Sequence, residues 1–201
     1  MSIKLTPTWF IKDYLSISIE FLKKQSIKTI FADIDNTLVD WDELDTNDTL
    51  QTWVQQLKEN QIEIILVSNN RKNRIERVAE QLGVPYVFPG LKPLHKGFKE
   101  ALSQTTATKD EIVMIGDQLL TDILGAGTFG IKTILVKPLK LSDAKKTRIN
   151  RFFENLILTI LYGKNYSEKW EEKIHDWKPL FLYGMWSNDS NRKSWRNRLY
   201  S

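Results

Sequence analysis

Between residues 27 and 137 the chain repeats one pattern: a short unbroken apolar run rich in Ile and Val, a polar cluster, then a stretch with helical spacing. A strand with one wet face alternates apolar and polar residues, whereas a strand covered on both faces reads as a continuous apolar run. The runs Lys28–Asp33, Glu63–Val67, Tyr86–Phe88, Ile112–Ile115 and Thr133–Val136 are of the second kind and are predicted as strands of one parallel sheet. Helices are predicted at Asp48–Glu59, Arg71–Leu82, Lys96–Gln104 and Leu120–Ala126. Gly83, with Pro85 two residues on, is a stop signal for the second of these. Strand–helix alternation of this kind implies a three-layer, doubly wound α/β domain. Residues 1–26 read as a helical lead-in, and residues 138–201 as an aromatic, basic appendage.

Composition removes several chemistries. The chain has no cysteine, which excludes disulfides, thiolate zinc sites and Cys nucleophiles and fits a reducing compartment. Its two histidines, His95 and His175, cannot form a histidine-rich metal centre and argue against a Ser-His-Asp triad. Met1 to Phe10 lacks the apolar core and cleavage site of a signal peptide, and no apolar run approaches the ~20 residues that span a bilayer. The cytoplasm is the expected compartment. The net charge of +4 is unevenly spread: from Lys137 to Ser201 there are 14 Lys/Arg and 7 Asp/Glu, leaving the rest of the chain acidic. The basic pI therefore belongs to the last third and does not mark a nucleic-acid binder.

Four polar clusters follow predicted strands, at the edge where open α/β sheets place ligands. The first is Asp33-Ile34-Asp35-Asn36-Thr37. On extended backbone its two aspartates point to the same side, and carboxylates leaving an apolar strand are costly to bury without a cation. A plain strand-end turn would use the same residue types. The second, Ser68-Asn69-Asn70, can offer a hydroxyl and main-chain N–H groups to an anion at a helix N-terminus, or simply cap that helix. The third, Gly90-Leu91-Lys92-Pro93, means little alone. In the fourth, Gly116-Asp117-Gln118-Leu119-Leu120-Thr121-Asp122, the glycine permits a tight backbone approach beside the aspartates.

Taken in order, these clusters resemble the four-motif signature of the haloacid dehalogenase superfamily over residues 27 to about 137. The resemblance implies a Rossmann-like fold and a Mg²⁺-dependent phosphomonoester hydrolase. In that reading Asp33 is the nucleophile, forming an aspartyl-phosphate, and Asp35 is the general acid and base. Mg²⁺ is held by Asp33, the main-chain carbonyl of Asp35, and Asp117. Ser68, Asn69 and Lys92 bind the phosphoryl oxygens, with Lys96 a competitor for the lysine role. A phosphate monoester carries about −1.5 to −2 charge at neutral pH, so an attacking carboxylate needs such cations. Thr37 fixes the loop, and Asp122 orients Lys92 or a metal-bound water.

Many members of that superfamily carry an inserted cap. Here only 32 residues separate Asp35 from Ser68 and 23 separate Ser68 from Lys92, each gap taken up by one helix and one strand. No domain of ~50 residues fits, so the site is expected to be open. Gln118 and the Thr121-Asp122 pair, with Ser68-Asn69-Asn70, Gly97-Phe98 and Thr147-Arg148-Ile149-Asn150-Arg151, are similar to the capless subclass III family known as YqeG. That family is related to the mitochondrial phosphatidylglycerophosphate phosphatases. The implied reaction converts phosphatidylglycerophosphate to phosphatidylglycerol. The alternatives are a capless phosphatase for a phosphoprotein, a nucleic-acid end or a soluble sugar phosphate, and a non-catalytic phospho-accepting domain, against which Asp35 argues. The division expected is a phosphatase domain over 1–150 and a helical extension over 151–201. Leu156–Tyr162 and the tryptophans Trp170, Trp177, Trp186 and Trp195, interleaved with Lys and Arg, suit peripheral binding to the inner face of a membrane. A helix packed on the sheet, or a docked partner, accounts for them equally well.

Overall fold

The apolar runs pair edge to edge and all in one direction. In the computed structural model, which describes residues 5–43, 45–139 and 157–159, six parallel strands form a single sheet. The elements in chain order are β1 (Trp9–Ile11), α1 (Ile19–Lys24), β2 (Thr29–Ala32), α2 (Asp48–Glu59), β3 (Glu63–Val67) and α3 (Lys72–Leu82). There follow β4 (Tyr86–Val87), α4 (His95–Leu102), β5 (Ile112–Gly116), α5 (Leu124–Phe129) and β6 (Lys132–Val136). The strand order is β1-β6-β5-β2-β3-β4. From β2 the chain winds outward through β3 to β4, then crosses back to β5 on the other flank of β2. That reversal opens a crevice at the carboxyl ends of β2 and β5, the place where doubly wound sheets bind ligands.

Alternation of side chains across the sheet divides the core in two. Ile30 and Ala32 of β2 join Ile64, Leu66, Val113 and Ile115 against α1, α2 and α3. Phe31 joins Ile65, Val67, Ile112 and Met114 on the opposite face, against Phe98 of α4 and Phe129 of α5. Each central strand is thus buried on both sides, which is why its sequence is an unbroken apolar run. Between Asp35 and Ser68 lie only α2 and β3, and between Ser68 and Lys92 only α3 and β4, so neither gap holds a cap.

Two expectations change. The lead-in is not simply helical: Trp9-Phe10-Ile11 forms an edge strand pairing with β6 in the register Trp9↔Ile134, and only Ile19–Lys24 is α-helix. Three apolar residues are too few for periodicity to declare a strand, and a partner 125 residues away supplies the reason they extend. The predicted helix Leu120–Ala126 is a π-helical turn at Leu119–Ile123 running into α5. The proposed boundary at 150/151 and nearly all of the extension lie outside the described residues. Residues 157–159 are helical, and Leu158 is buried against Phe10, Leu119, Ile123 and Leu135. This part of the Leu156–Tyr162 run covers the sheet. No helix among the described residues is long and apolar enough to cross a membrane.

The helix α2 tests how local signals support this frame. Its N-cap Asn47 accepts a hydrogen bond from the Leu50 N–H at 2.8 Å, meeting one of the four donors a helix start leaves unpaired. Asn47→Ala should cost about 1 kcal/mol of unfolding free energy. Urea denaturation measures it, with the midpoint falling and the slope unchanged.

Candidate active site

Each of the four polar clusters is delivered by a strand end. β2 ends at Ala32, and the Asp33 N–H donates to the Ile115 carbonyl at 2.9 Å, stitching the loop after β2 to β5. Asn36 then takes a positive φ of 60°, and Asp35 bridges to Val39, so the backbone turns sharply. Alternation therefore does not carry through to Asp35, and the two aspartates do not address the same partners. The Asp33 carboxylate meets the Lys92 ammonium at 2.6 Å. The Asp35 carboxylate accepts from the Asn70 amide on one oxygen and from Arg74 Nε, at 2.5 Å, on the other.

The lysine is held by its own backbone. Asn69 Nδ2 donates to the Lys92 carbonyl at 2.7 Å while Asn69 Oδ1 accepts from the Lys92 N–H at 2.9 Å, a two-point clamp. Gly97, in the first turn of α4, lets that helix press on the same loop, since a Cβ there would lie 2.0 Å from the Gly90 carbonyl oxygen. So placed, the Lys92 ammonium also reaches Asp122 Oδ1 at 2.7 Å. Asp122 lies in the π-helical turn, its other oxygen accepting from the Gln118 N–H at 3.1 Å. Gly116 makes this possible: a Cβ would sit 2.2 Å from Asp122 Oδ2. Asp33, Asp117 and Asp122 bring carboxylate oxygens within 4.8 Å of one another, all buried.

The electrostatics of this cluster are unbalanced. Among the described residues, the Lys92 ammonium contacts two of the three buried carboxylates, Asp33 and Asp122. Burial raises the Asp33 carboxyl from its ordinary 3.8 to about 7; Lys92 opposes the shift, and Asp122 and Asp35 add to it. Burial alone would lower the Lys92 ammonium, but the carboxylates of Asp122 and Asp33 outweigh it and hold its proton more tightly than usual. Removing Lys92 would leave the carboxylates uncompensated, a change that costs about 3–5 kcal/mol in buried pairs. A second cation on the Asp33–Asp117 side would redress the excess negative charge, and hard divalent ions choose such carboxylate oxygens.

The predicted residues are therefore gathered in one place with distinct partners. Ser68 is buried, and its hydroxyl accepts from the Asn70 N–H at 3.1 Å. Thr37 is buried and donates to Asp117 Oδ1 at 3.4 Å. Lys96 is exposed on α4, so Lys92 is the lysine in the cluster. Arg74 was not predicted. Its signal was present in the sequence as a helix whose first turn carries basic residues and no acid.

A family profile described as haloacid dehalogenase-like hydrolase matches residues 10–130. The probable phosphatase YqeG of Bacillus subtilis (strain 168) is 41% identical over 166 residues, covering 83% of this chain and 96% of that protein. The glyceraldehyde 3-phosphate phosphatase of Pyrococcus furiosus is 43% identical over 51 residues, 25% of this chain and 21% of that protein. Among solved structures, the cobalt-bound deoxy-D-mannose-octulosonate 8-phosphate phosphatase of Haemophilus influenzae is similar with a TM-score of 0.45 at 16% identity. The likeness covers 68% of this chain and 90% of that one.

Because the folded state holds a proton on Asp33 that the unfolded chain releases near pH 3.8, this group's stabilisation is complete below that pH and is lost as pH rises through about 7. A divalent cation should replace what the proton supplied. Mg²⁺ held at one concentration, about a hundred times its Kd at pH 8, should add about 2.7 kcal/mol there, raising Tm by roughly 5–10 °C. The rise should be larger at pH 8 than at pH 5, and should shrink in Asp117→Asn. Equal rises at both pH values, measured by scanning calorimetry, would show that the cation binds elsewhere.

Proposed function

Because the chain belongs to the haloacid dehalogenase-like hydrolase family and is a phosphatase, we propose that it cleaves phosphatidylglycerophosphate through an aspartyl-phosphate on Asp33. The observation that carries this reading is the buried Asp33 carboxylate at the β2–β5 crevice with the Lys92 ammonium 2.6 Å away. Asp33 attacks phosphorus as the ester P–O bond breaks, and Asp35 gives its proton to the departing alkoxide. Asp35 then takes a proton from water, whose oxygen attacks phosphorus and frees Asp33 as phosphate leaves. Lys92 neutralises charge on the phosphoryl oxygens, held at its post by Asp122 and Asn69. The Ser68 hydroxyl adds a donor to the same oxygens. Asp33 and Asp117, with the Asp35 carbonyl, would hold Mg²⁺, whose charge reduces the repulsion between carboxylate and phosphate.

A lipid substrate is favoured by what surrounds the crevice. Four large apolar side chains among the described residues are exposed on loops at the carboxyl ends of strands: Trp41 after β2, Leu91 and Leu94 after β4, and Leu139 after β6. Leu139 is tied to the site loop, its N–H donating to the Asn36 carbonyl at 3.1 Å. An apolar rim around a polar, uncapped centre suits a headgroup whose acyl chains stay in a bilayer. The basic, tryptophan-rich sequence after residue 160 would add attraction to anionic lipid.

Asp33→Asn should abolish Mg²⁺-dependent phosphate release with circular dichroism unchanged; near-normal turnover would end the nucleophile assignment. Purified protein should release phosphate from phosphatidylglycerophosphate in mixed micelles with a kcat/KM at least about tenfold above that for sugar phosphates and phosphopeptides, a difference of about 1.4 kcal/mol in transition-state binding. A preference for one of those soluble substrates would replace the lipid reading and leave the chemistry intact.

A further inference from the structure

Arg74 lies in the first turn of α3, where a cation is electrostatically unfavourable because the helix dipole is positive there. That turn holds no acidic residue, and Arg71 and Lys72 flank it. Arg74 is nevertheless almost fully buried, with a side chain 9% exposed. What holds it there is a set of three acceptors around one guanidinium. Nε donates to Asp35 Oδ1 at 2.5 Å, one terminal nitrogen donates to the Asp40 carbonyl at 2.7 Å, and the other donates to the Glu43 carbonyl. The planar fork of arginine can satisfy these three directions together; the point charge of lysine cannot. Asn70 takes the second oxygen of Asp35, so the carboxylate is fixed at both ends by groups that precede or open α3.

We propose that Arg74 is the positioning residue for the acid–base step, locking the Asp35 carboxylate to α3 and to the loop Asp40–Glu43 that follows the first motif. This rests on the reading of Asp35 as the group that protonates the leaving alkoxide. A side chain that merely fastened a surface loop would have no reason to spend its Nε on the one carboxylate assigned to proton transfer. Arg74 also gives Asp35 the orientation that strand alternation does not, since β2 has ended at Ala32 and the backbone turns at Asn36. A general acid works only when its proton lies within hydrogen-bond reach of the leaving atom, so the loss of this tether should fall on that atom.

The test compares leaving groups. p-Nitrophenolate departs without a proton, whereas the alkoxide of 2-glycerophosphate needs one, and kcat/KM for each reports steps up to phosphoenzyme formation. Arg74→Lys should lower kcat/KM for 2-glycerophosphate by about 10- to 100-fold, part of the 10²–10⁴ that general acid catalysis supplies, and for p-nitrophenyl phosphate by less than about threefold. Arg74→Gln, which keeps one donor end, should show the same selectivity, and its folding is checked separately by thermal denaturation. Equal losses on the two substrates in a folded variant would mean that Arg74 serves phosphate binding or the fold, and no loss would mean that it positions nothing. Asp35→Asn is the control for the underlying reading. If its loss is also unselective, the acid role of Asp35 is wrong; if it is selective while both Arg74 variants are not, only the tether falls.

Discussion

Lys92 carries its ammonium into a buried space between two carboxylates, 2.6 Å from Asp33 and 2.7 Å from Asp122, and the surrounding structure is arranged to keep it there. A charge so far from water must be met at close range from several sides. Asn69 fixes the lysine backbone, Gly97 lets α4 press against the loop, and Gly116 clears the space in which Asp122 turns back along β5. Asp122 itself lies in a π-helical turn, a form often found at functional sites. The sheet order then makes the meeting possible, because β2 and β5 are neighbours although 80 residues separate Thr37 from Asp117.

Among the described residues, the excess of carboxylate over ammonium is what distinguishes this cluster from a structural ion pair. A purely structural pair gains most when its charges cancel, and a well-packed apolar replacement often does as well. Here Asp33 is left with a strongly raised pKa and Asp117 lies beside it, which is wasteful for stability alone. Strain of this kind is expected where a further cation and an anionic substrate complete the balance.

Five of the six strands were legible in the sequence: the four interior ones because burial on both faces leaves an unbroken apolar run, and the edge strand β4 because its short run is apolar too. The residues of the site were legible because Asp33, Ser68 and Asp117 each directly follow such a run, and Lys92 lies in the loop after β4. What the sequence hid is whatever depends on a distant partner. Trp9-Phe10-Ile11 extends because β6 is there to receive it. Asp35 turns to Asn70 and Arg74 because the backbone leaves the strand geometry one residue before Asp33, a detail no alternation rule contains. Arg74 itself was visible only as a charge on the unfavourable end of a helix.

The pairing of β1 with β6 sets an order on the making of the protein. Among the described residues β1 has no other strand neighbour, so Trp9–Ile11 cannot be placed until residues 132–136 have been synthesised. At synthesis rates of about 5–20 residues per second, a separation of 125 residues keeps Trp9, Phe10 and Ile11 waiting for roughly 6–25 s. During that interval the rest of the sheet, from β2 through β5, can already assemble around the crevice. Leu158 then packs over Phe10, a contact that has to wait for residues made later still.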